Sequence, residues 1–439
     1  MNLQDSAAIR GTIVYCRYDP GADDASEALR IIEDGLLVIR AGRIVAIGAA
    51  SDLLKELDAQ AEVVDRRGKL IVPGFVDAHI HYAQTDIIAS YGEKLLSWLE
   101  RYTFPAEMRF ADPEVARDTA AFFVSELLRN GTTAALVLGT VHAHSVDALF
   151  GEAQQRGMRL AAGKVLMDRN APEALRDTAE SGYRDSQALI ERWHGCGRLS
   201  YAITPRFAPA CSDAQLAAAG ELACHYPDTY VHTHIAENVD EVAWVAELFP
   251  WSRDYLDVYD RYQLLRRGSV YAHGIHLSAS EHQRITQAGA ATVFCPTSNL
   301  FLGSGLFDYG RACCNRLTVG LATDVGAGTS FSMLETAAEA YKVSQLNGVA
   351  LSAGRLLYLA TLAGAETLNV DDRIGRLDIG YEADFVVLDP EATPLMARRN
   401  QHIDTTVDRL FMLMMMGDDR CVHSTWVQGV CQHHRDASD

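Results

Sequence analysis

The sequence predicts an α/β fold, namely a (β/α)8 barrel of the TIM type with a small β-sandwich domain built from the N- and C-terminal segments. Eight short apolar runs follow residue 68, and helical patterns lie between most of them. Strand-like segments flank this series at both ends of the chain. We therefore predict a barrel domain over 70–374 and a composite β domain over 1–69 plus 375–439.

The β domain is predicted from four segments. Residues 11–15 and 35–47 read as strands, and the second contains a turn signal at Ala41-Gly42 between β-branched residues. Strand-like sequence returns at 375–388 and 424–432. The simplest arrangement places these segments together beside the barrel.

The barrel strands are predicted from runs that are apolar with little alternation, which is typical of strands buried on both faces. Helical patterns such as 119–128 and 241–248 separate them. The runs are 70–76, 133–138, 159–166, 199–204, 229–235, 269–272, 291–294 and 318–322.

Composition narrows the classes of partner. Of the 439 residues 48% are hydrophobic and 22% are charged, as in soluble globular proteins. The net charge of −19 argues against a nucleic-acid backbone or an anionic membrane as the main partner. The apolar runs are too short to span a bilayer. Nine cysteines without a CxxC pair, and an N-terminal sequence unlike a secretory signal, lead us to expect a cytoplasmic protein.

Side chains that can bind a metal or transfer a proton follow four of the eight predicted strands. His79-Ile80-His81 ends the first run, and the fifth ends in HTHIAE, from His232 to Glu237. The sixth run ends in His273 and the eighth in Asp324. Because active sites of such barrels lie at the C-terminal ends of the strands, these residues form a candidate site.

The spacing of the histidines favours a metal centre. Residues i and i+2 of a strand point to the same side, so His79 and His81 can reach one ion. A further histidine and a carboxylate would leave one position open for water, as in catalytic zinc sites. Iron or another divalent ion suits the same donors. A single HxH is weak evidence, since the chain also contains His142/His144 and His232/His234.

Glu237 is the candidate proton shuttle, because a Glu in a metal pocket can carry protons to a leaving group. Its alternative role is to begin a helix, where the helix dipole favours a carboxylate. Other mechanisms have little support, since the chain lacks a GxSxG elbow, an HExxH helix, a P-loop and a GxGxxG fingerprint.

The segment PGFVDAHIHYAQTDIIASYGEKLLSWLERYTFPAE resembles the guanine deaminase family of the amidohydrolase superfamily. The likeness continues through TPRFAP, VHTHIAENVDE, VYAHGIHLS, FCPTSNLFLGSG and GLATDVGAGTSFSML and spans nearly the whole chain. PGFVDAHIH marks the superfamily, whereas HYAQTD and the YGEKLLSWLERYTFPAE segment are more specific to the family.

The resemblance implies a role for each matching residue. One Zn²⁺ per subunit would be held by four ligands, namely His79, His81, His234 and Asp324. The catalytic residues would be Glu237, Asp324 and His273, and the purine would be held by Gln84, Arg206 and Phe207. The roles of His142, His144 and His232 stay open, with His232 at most a neighbour of the ligands.

The resemblance also bears on the number of metals. Two-metal members of the superfamily often place a bridging carboxylated lysine at the end of strand four, where this chain has TPRF. Its absence favours one metal, and Lys164, within strand three, is expected to be structural.

The implied activity is zinc-dependent hydrolysis of guanine to xanthine and ammonia, with guanine and water as partners and a homodimer as the assembly. A related deaminase of another aminopurine, a pyrimidine or a triazine is the alternative. A non-catalytic barrel scaffold would require a broken ligand set, and every expected ligand is present.

Overall fold

A computed structural model of the chain describes residues 6–21, 26–58, 61–92 and 94–436. The outermost residues of the predicted β domain, 1–5 and 437–439, lie outside the described residues. The strands are β1 (Ala7–Cys16), β2 (Leu29–Arg40), β3 (Arg43–Ala49), β4 (Val63–Pro73), β5 (Phe75–His81), β6 (Thr132–Leu138), β7 (Arg159–Gly163), β8 (Val165–Leu166), β9 (Leu199–Pro205), β10 (Tyr230–Ile235), β11 (Ser269–His273), β12 (Ala291–Phe294), β13 (Thr318–Leu321), β14 (Phe385–Leu388), β15 (Val422–Val427) and β16 (Val430–His434).

The helices lie mainly between the strands of the barrel and after its last strand. They are α1 (Ala50–Leu53), α2 (Leu95–Trp98), α3 (Phe104–Met108), α4 (Pro113–Arg129), α5 (Ala143–Gln155), α6 (Ala179–Trp193), α7 (Asp213–His225), α8 (Val239–Leu248), α9 (Tyr255–Arg261), α10 (Ala279–Gln287), α11 (Pro296–Phe301), α12 (Tyr309–Cys314), α13 (Met333–Leu346), α14 (Ala353–Ala360), α15 (Leu362–Thr367), α16 (Pro394–Asn400) and α17 (Thr406–Met416). Within the described ranges, no helix is both long and apolar enough to cross a membrane.

The parallel strands form a barrel, which confirms the predicted fold class. Their order is β5-β6-β7-β9-β10-β11-β12-β13, and β8 adds to β9. The ring closes where the backbone nitrogen of Asp324 donates to the carbonyl of His79 at 3.0 Å and that of His81 donates to Val325 at 2.8 Å. The residues of β5, β6 and β7 are all buried, as expected for strands covered on both faces.

The first predicted barrel run, 70–76, is divided between the two sheets. β4 ends at Pro73 in the smaller sheet, and β5 begins at Phe75 in the barrel. Gly74 lies between them, and a Cβ atom there would meet the Thr133 hydroxyl oxygen at 2.0 Å. The chain therefore changes sheets at a position where β6 passes too closely for any side chain.

The smaller sheet combines both ends of the chain, as predicted. Its order is β16-β15-β14-β4-β1-β2-β3, with β1 and β4 parallel and the other pairs antiparallel. The predicted turn at Ala41-Gly42 joins β2 to β3, and both residues have positive φ angles, of 49° and 76°. β4 runs through the predicted domain boundary between residues 69 and 70. The division of the chain into two domains remains a prediction.

A buried cluster of charges joins the smaller sheet to the N-terminal ends of the barrel strands. Arg159, which begins β7, and Arg198, which precedes β9, lie 2.8 and 2.7 Å from the Glu382 carboxylate. Arg198 also pairs with Asp384. The segment that precedes β14 thus contacts the barrel at the end opposite the candidate site.

Candidate active site

A cavity opens at the C-terminal ends of the barrel strands, where active sites of such barrels lie. Eight of the nine predicted site residues line it, and His79 lies beneath them: the lining residues of that set are His81, Gln84, Arg206, Phe207, His234, Glu237, His273 and Asp324. The structure therefore brings together residues that are up to 245 positions apart in the chain, from His79 to Asp324.

The four predicted metal ligands converge at the floor of this cavity. Nε2 of His79 lies 3.1 Å from Oδ1 of Asp324, and Nε2 of His81 lies 3.4 Å from the same oxygen. Nε2 of His81 is also 3.1 Å from Nε2 of His234. Three imidazole nitrogens and a carboxylate oxygen thus face a common point, and the described residues contain two overlapping groups here that could hold a metal ion.

The protonation states of these histidines fit metal binding. Nδ1 of His234 lies 2.6 Å from the Arg206 carbonyl, which only accepts, so its Nδ1 carries the proton and Nε2 has a free lone pair. Burial lowers the pKa of His81 to about 4, and it lowers the pKa of His79 and His234 as well, so the neutral ligand form is favoured. Nε2 of His79 is buried and forms no hydrogen bond with any described residue. This donor set fits a divalent cation.

Asp77 connects the two strand ends that carry the ligands. Its carboxylate accepts from the backbone nitrogen of His79 at 3.2 Å and from the Thr323 hydroxyl at 2.5 Å. Burial raises the pKa of Asp77 to about 7. Asp324 follows Thr323 directly and has a φ of 51°, a left-handed conformation that persists where the surroundings fix the backbone. Asp77 therefore holds the backbone on both sides of the ligand cluster.

Glu237 and His273 form the side of the cavity next to Asp324. Burial and the nearby Asp324 charge raise the pKa of Glu237 to about 8, although the Ser304 hydroxyl donates to its Oε1 at 3.0 Å. Nε2 of His273 lies 3.4 Å from Oε2 of Glu237 and 3.7 Å from Oδ2 of Asp324. A proton-carrying carboxyl and an imidazole therefore flank the position next to the ligands.

The backbone at Glu237 is fixed by the start of α8. Asn238 caps this helix, and the Glu241 carboxylate accepts from the backbone nitrogens of Glu237 and Asn238 at 2.9 and 3.2 Å. The Tyr255 hydroxyl donates to the other Glu241 oxygen at 2.6 Å. This capping box explains why the loop after β10 holds Glu237 in the cavity rather than in solvent.

The opposite wall combines polar and apolar groups. Arg206 and Phe207 follow β9, and Gln84 lies in the short 3-10 helix after β5. The apolar part of the wall comes from the segment after Gln84 and from the end of α11: Leu95, Trp98, Leu99 and Leu302. A flat, partly polar ring would find both hydrogen-bonding groups and apolar contacts here.

Comparison with known proteins agrees with this architecture. The model of the amidohydrolase family matches residues 70–431. Guanine deaminase from Escherichia coli is 52% identical over 429 residues, which covers 98% of each protein. The chain belongs to the amidohydrolase family, among its guanine deaminases. It is therefore a hydrolase.

Solved structures of related amidohydrolases extend the comparison. The structure of E. coli guanine deaminase matches with a TM-score of 0.96 and covers 98% of this chain and 100% of that one. Guanine deaminase from C. acetobutylicum, solved with guanine bound in its active site, matches with a TM-score of 0.88 at 29% identity and covers 97% of this chain and 100% of that one. The resemblance predicted from the motifs is thus confirmed.

The remaining histidines and Lys164 lie outside the ligand cluster. Nε2 of His232 lies 2.7 Å from Nδ1 of His79, behind the metal donors. The rings of His142 and His144 stack at 5.6 Å near the start of α5, and Nε2 of His144 lies 2.7 Å from the Phe110 carbonyl. Lys164 is buried, with Nζ 2.5 Å from Asp177, so this ion pair occupies its amine.

Sequence reasoning missed several polar residues that contact the predicted set, among them Asp77, Glu241, Ser304 and Glu107. Ser304 donates to Glu237, and Glu107 pairs with Arg206. Glu107 lies in the family-specific segment YGEKLLSWLERYTFPAE, and its place in that segment was the available signal.

Proposed function

We propose that this chain hydrolyses guanine to xanthine and ammonia, using one zinc ion held by His79, His81, His234 and Asp324. The observation that carries the proposal is that three of the predicted metal donors, the Glu237 carboxyl and the Arg206 guanidinium all line one cavity, with His79 directly beneath. The relatives supply the substrate, since the E. coli protein is named guanine deaminase and the C. acetobutylicum structure contains bound guanine.

A zinc ion bound by these residues would lower the pKa of a water molecule. Asp324 would take a proton from the attacking water, whose oxygen adds to C2 of the ring. Glu237 would donate its proton to the adjacent ring nitrogen. The proton held by Asp324 would then pass to the amine, which leaves as ammonia, while the added hydroxyl returns a proton to Glu237 and becomes the C2 carbonyl. His273, 3.4 Å from Glu237 and 3.7 Å from Asp324, orients the attacking oxygen. The raised pKa of Glu237, about 8, favours the acid form at neutral pH.

Recognition follows from the donors on the opposite wall. Arg206 offers only N–H donors and suits the ring carbonyl, whereas Gln84 offers both a donor and an acceptor. Phe207 offers an aromatic contact. A site that leaves such groups unpaired rejects an analogue strongly, so we expect a preference for the 6-oxopurine.

The test is a panel of amines assayed for ammonia release, together with metal analysis of the purified protein. We expect release from guanine and about one zinc per chain. Adenine, cytosine and an aminotriazine serve as comparison substrates. Release from one of these without release from guanine would contradict the substrate assignment, and a deaminase of that amine would be the correct function.

Two further parts of the proposal concern the assembly and the location. We propose a homodimer in the cytoplasm: the family resemblance suggests the dimer, and nine cysteines without a CxxC pair fit a reducing compartment. Light scattering of the purified protein measures the mass against 48.1 kDa for one chain. A monomer at micromolar concentration would contradict the dimer.

A further inference from the structure

Glu107, on α3, lies immediately behind the substrate wall. Its side chain is fully buried, and each carboxylate oxygen accepts a hydrogen bond of 2.8 Å from Nη1 of Arg206. Nε2 of Gln84 donates to Oε1 of Glu107 at 3.4 Å. Both partners line the cavity, whereas Glu107 does not. One carboxylate therefore contacts the two polar side chains that the proposed function assigns to purine binding.

This contact determines which edge of Arg206 faces the cavity. Within the described part of the chain, the hydrogen bonds of the guanidinium all use Nη1, so Nε and Nη2 remain for a ligand. The Arg206 guanidinium also lies over the Phe104 ring, with Cζ 5.7 Å from the ring centre. Because Glu107 holds the planar guanidinium at Nη1 and Phe104 packs on one of its faces, the remaining N–H groups point in a single direction.

The same carboxylate determines the orientation of the Gln84 amide. An amide has a donor end and an acceptor end that differ little in shape. The donor end points to Glu107, and Oε1 accepts from the backbone nitrogen of Gly326 at 3.4 Å. Because a carboxylate accepts only, the reversed amide would place two acceptors together. Glu107 therefore disfavours the flip of Gln84.

We propose that Glu107 is a positioning residue that sets the preference for a 6-oxopurine over a 6-aminopurine. Because its two oxygens accept from Arg206 and Gln84, Glu107 offers no free acceptor to an exocyclic amine at C6 and keeps the Arg206 donors directed at a carbonyl there. This inference rests on the proposed function, since it names the side of the purine that faces Arg206.

The test compares Glu107→Gln with the unchanged protein. Equilibrium binding of hypoxanthine and adenine, measured by calorimetry, reports the C6 preference without turnover at C2. We expect the ratio of the two affinities to fall about tenfold or more, because an amide has no charge and offers one acceptor oxygen where the carboxylate offers two to Arg206 and Gln84. For guanine turnover we expect KM to rise about tenfold, with kcat changed less and zinc content unchanged.

The matched control is Glu382→Gln, at the other end of the barrel. Glu382 is also a buried carboxylate paired with arginine, through Arg159 at 2.8 Å and Arg198 at 2.7 Å. We expect this variant to lose thermal stability without a change in KM or in the binding ratio. If Glu107→Gln behaves in the same way, its role is structural and the inference is wrong.

Two further outcomes are separable. If Glu107→Gln does not fold, Glu107→Asp keeps the charge but shortens the reach, and a fall in the binding ratio supports the inference while an unchanged ratio overturns it. If the unchanged protein prefers hypoxanthine but releases no ammonia from guanine, the proposed reaction fails while the binding ratio of the variant still decides the role of Glu107. An unchanged protein without that preference overturns the inference.

Discussion

Nδ1 of His79 lies 2.7 Å from Nε2 of His232, so a predicted metal ligand on the first barrel strand contacts a histidine on the fifth. If Nε2 of His79 binds a metal, its Nδ1 carries the proton and Nε2 of His232 accepts it. The partner of a ligating histidine fixes its tautomer and orientation. His232, which the sequence left without a role, is therefore predicted to tune metal affinity.

A pair of His232 variants tests this role. His232→Leu removes the acceptor, and we expect zinc affinity to fall about 10- to 100-fold. His232→Gln keeps an acceptor oxygen, and we expect affinity close to that of the unchanged protein. Competition with a chromogenic chelator measures both. Equal zinc affinity in the Leu variant and the unchanged protein would argue against the role.

Asp324→Ala should abolish both metal binding and turnover. Oδ1 of Asp324 lies 3.1 and 3.4 Å from Nε2 of His79 and His81, so its removal deletes one donor of the predicted set. It also deletes the group that would accept the proton of the attacking water. Metal analysis and an ammonia assay measure the two losses. A variant that retains about one zinc per chain would remove Asp324 from the ligand set.

Glu237→Gln should retain zinc and lose turnover by about 100-fold or more, because the amide cannot transfer protons. The same change should stabilise the metal-free protein in a pH-dependent way. The folded protein keeps the Glu237 proton up to about pH 8, whereas the usual value is 4.5, so stability falls as pH rises between these values.

The Glu237→Gln variant has no carboxyl to ionise at this position, so it does not lose stability as the pH rises. Its advantage in free energy of unfolding over metal-free unchanged protein should therefore grow from about pH 5 to about pH 8, reaching on the order of 1 kcal/mol or more. Denaturant titrations in the presence of a chelator measure it. A stability difference independent of pH would show that Glu237 ionises normally in the folded protein.

Glu382→Ala should lower the free energy of unfolding by about 3–5 kcal/mol, because the charges of Arg159 and Arg198 stay buried without the Glu382 carboxylate that pairs with them. The exposed pair Arg420–Asp418 offers a comparison, and Arg420→Ala should cost about 1 kcal/mol or less. Guanidinium chloride denaturation measures both changes. Similar small losses in the two variants would mean that water reaches the Glu382 cluster.

Much of the fold and of the site was predictable from local patterns. Apolar runs predicted the barrel strands. The prediction that His79 and His81 reach one ion required only that their strand be extended, because residues i and i+2 then point to the same side. The division of the first run at Gly74 was not predictable, because it depends on the Thr133 side chain of a neighbouring strand. Glu107 was missed for a similar reason, since its partners Gln84 and Arg206 come from two other segments of the chain.

In the smaller sheet an early strand pairs with a late one, and this has a consequence for synthesis on the ribosome. β4 pairs through residues 70–73 with β14, at 385–388, which emerges roughly 300 residues later. At about 5–20 residues per second, this edge of the nascent sheet stays unpaired for roughly 15–60 s. The exposed Leu70-Ile71-Val72 edge is therefore a place where chaperones would bind the growing chain, or where growing chains would associate, before the last strands arrive.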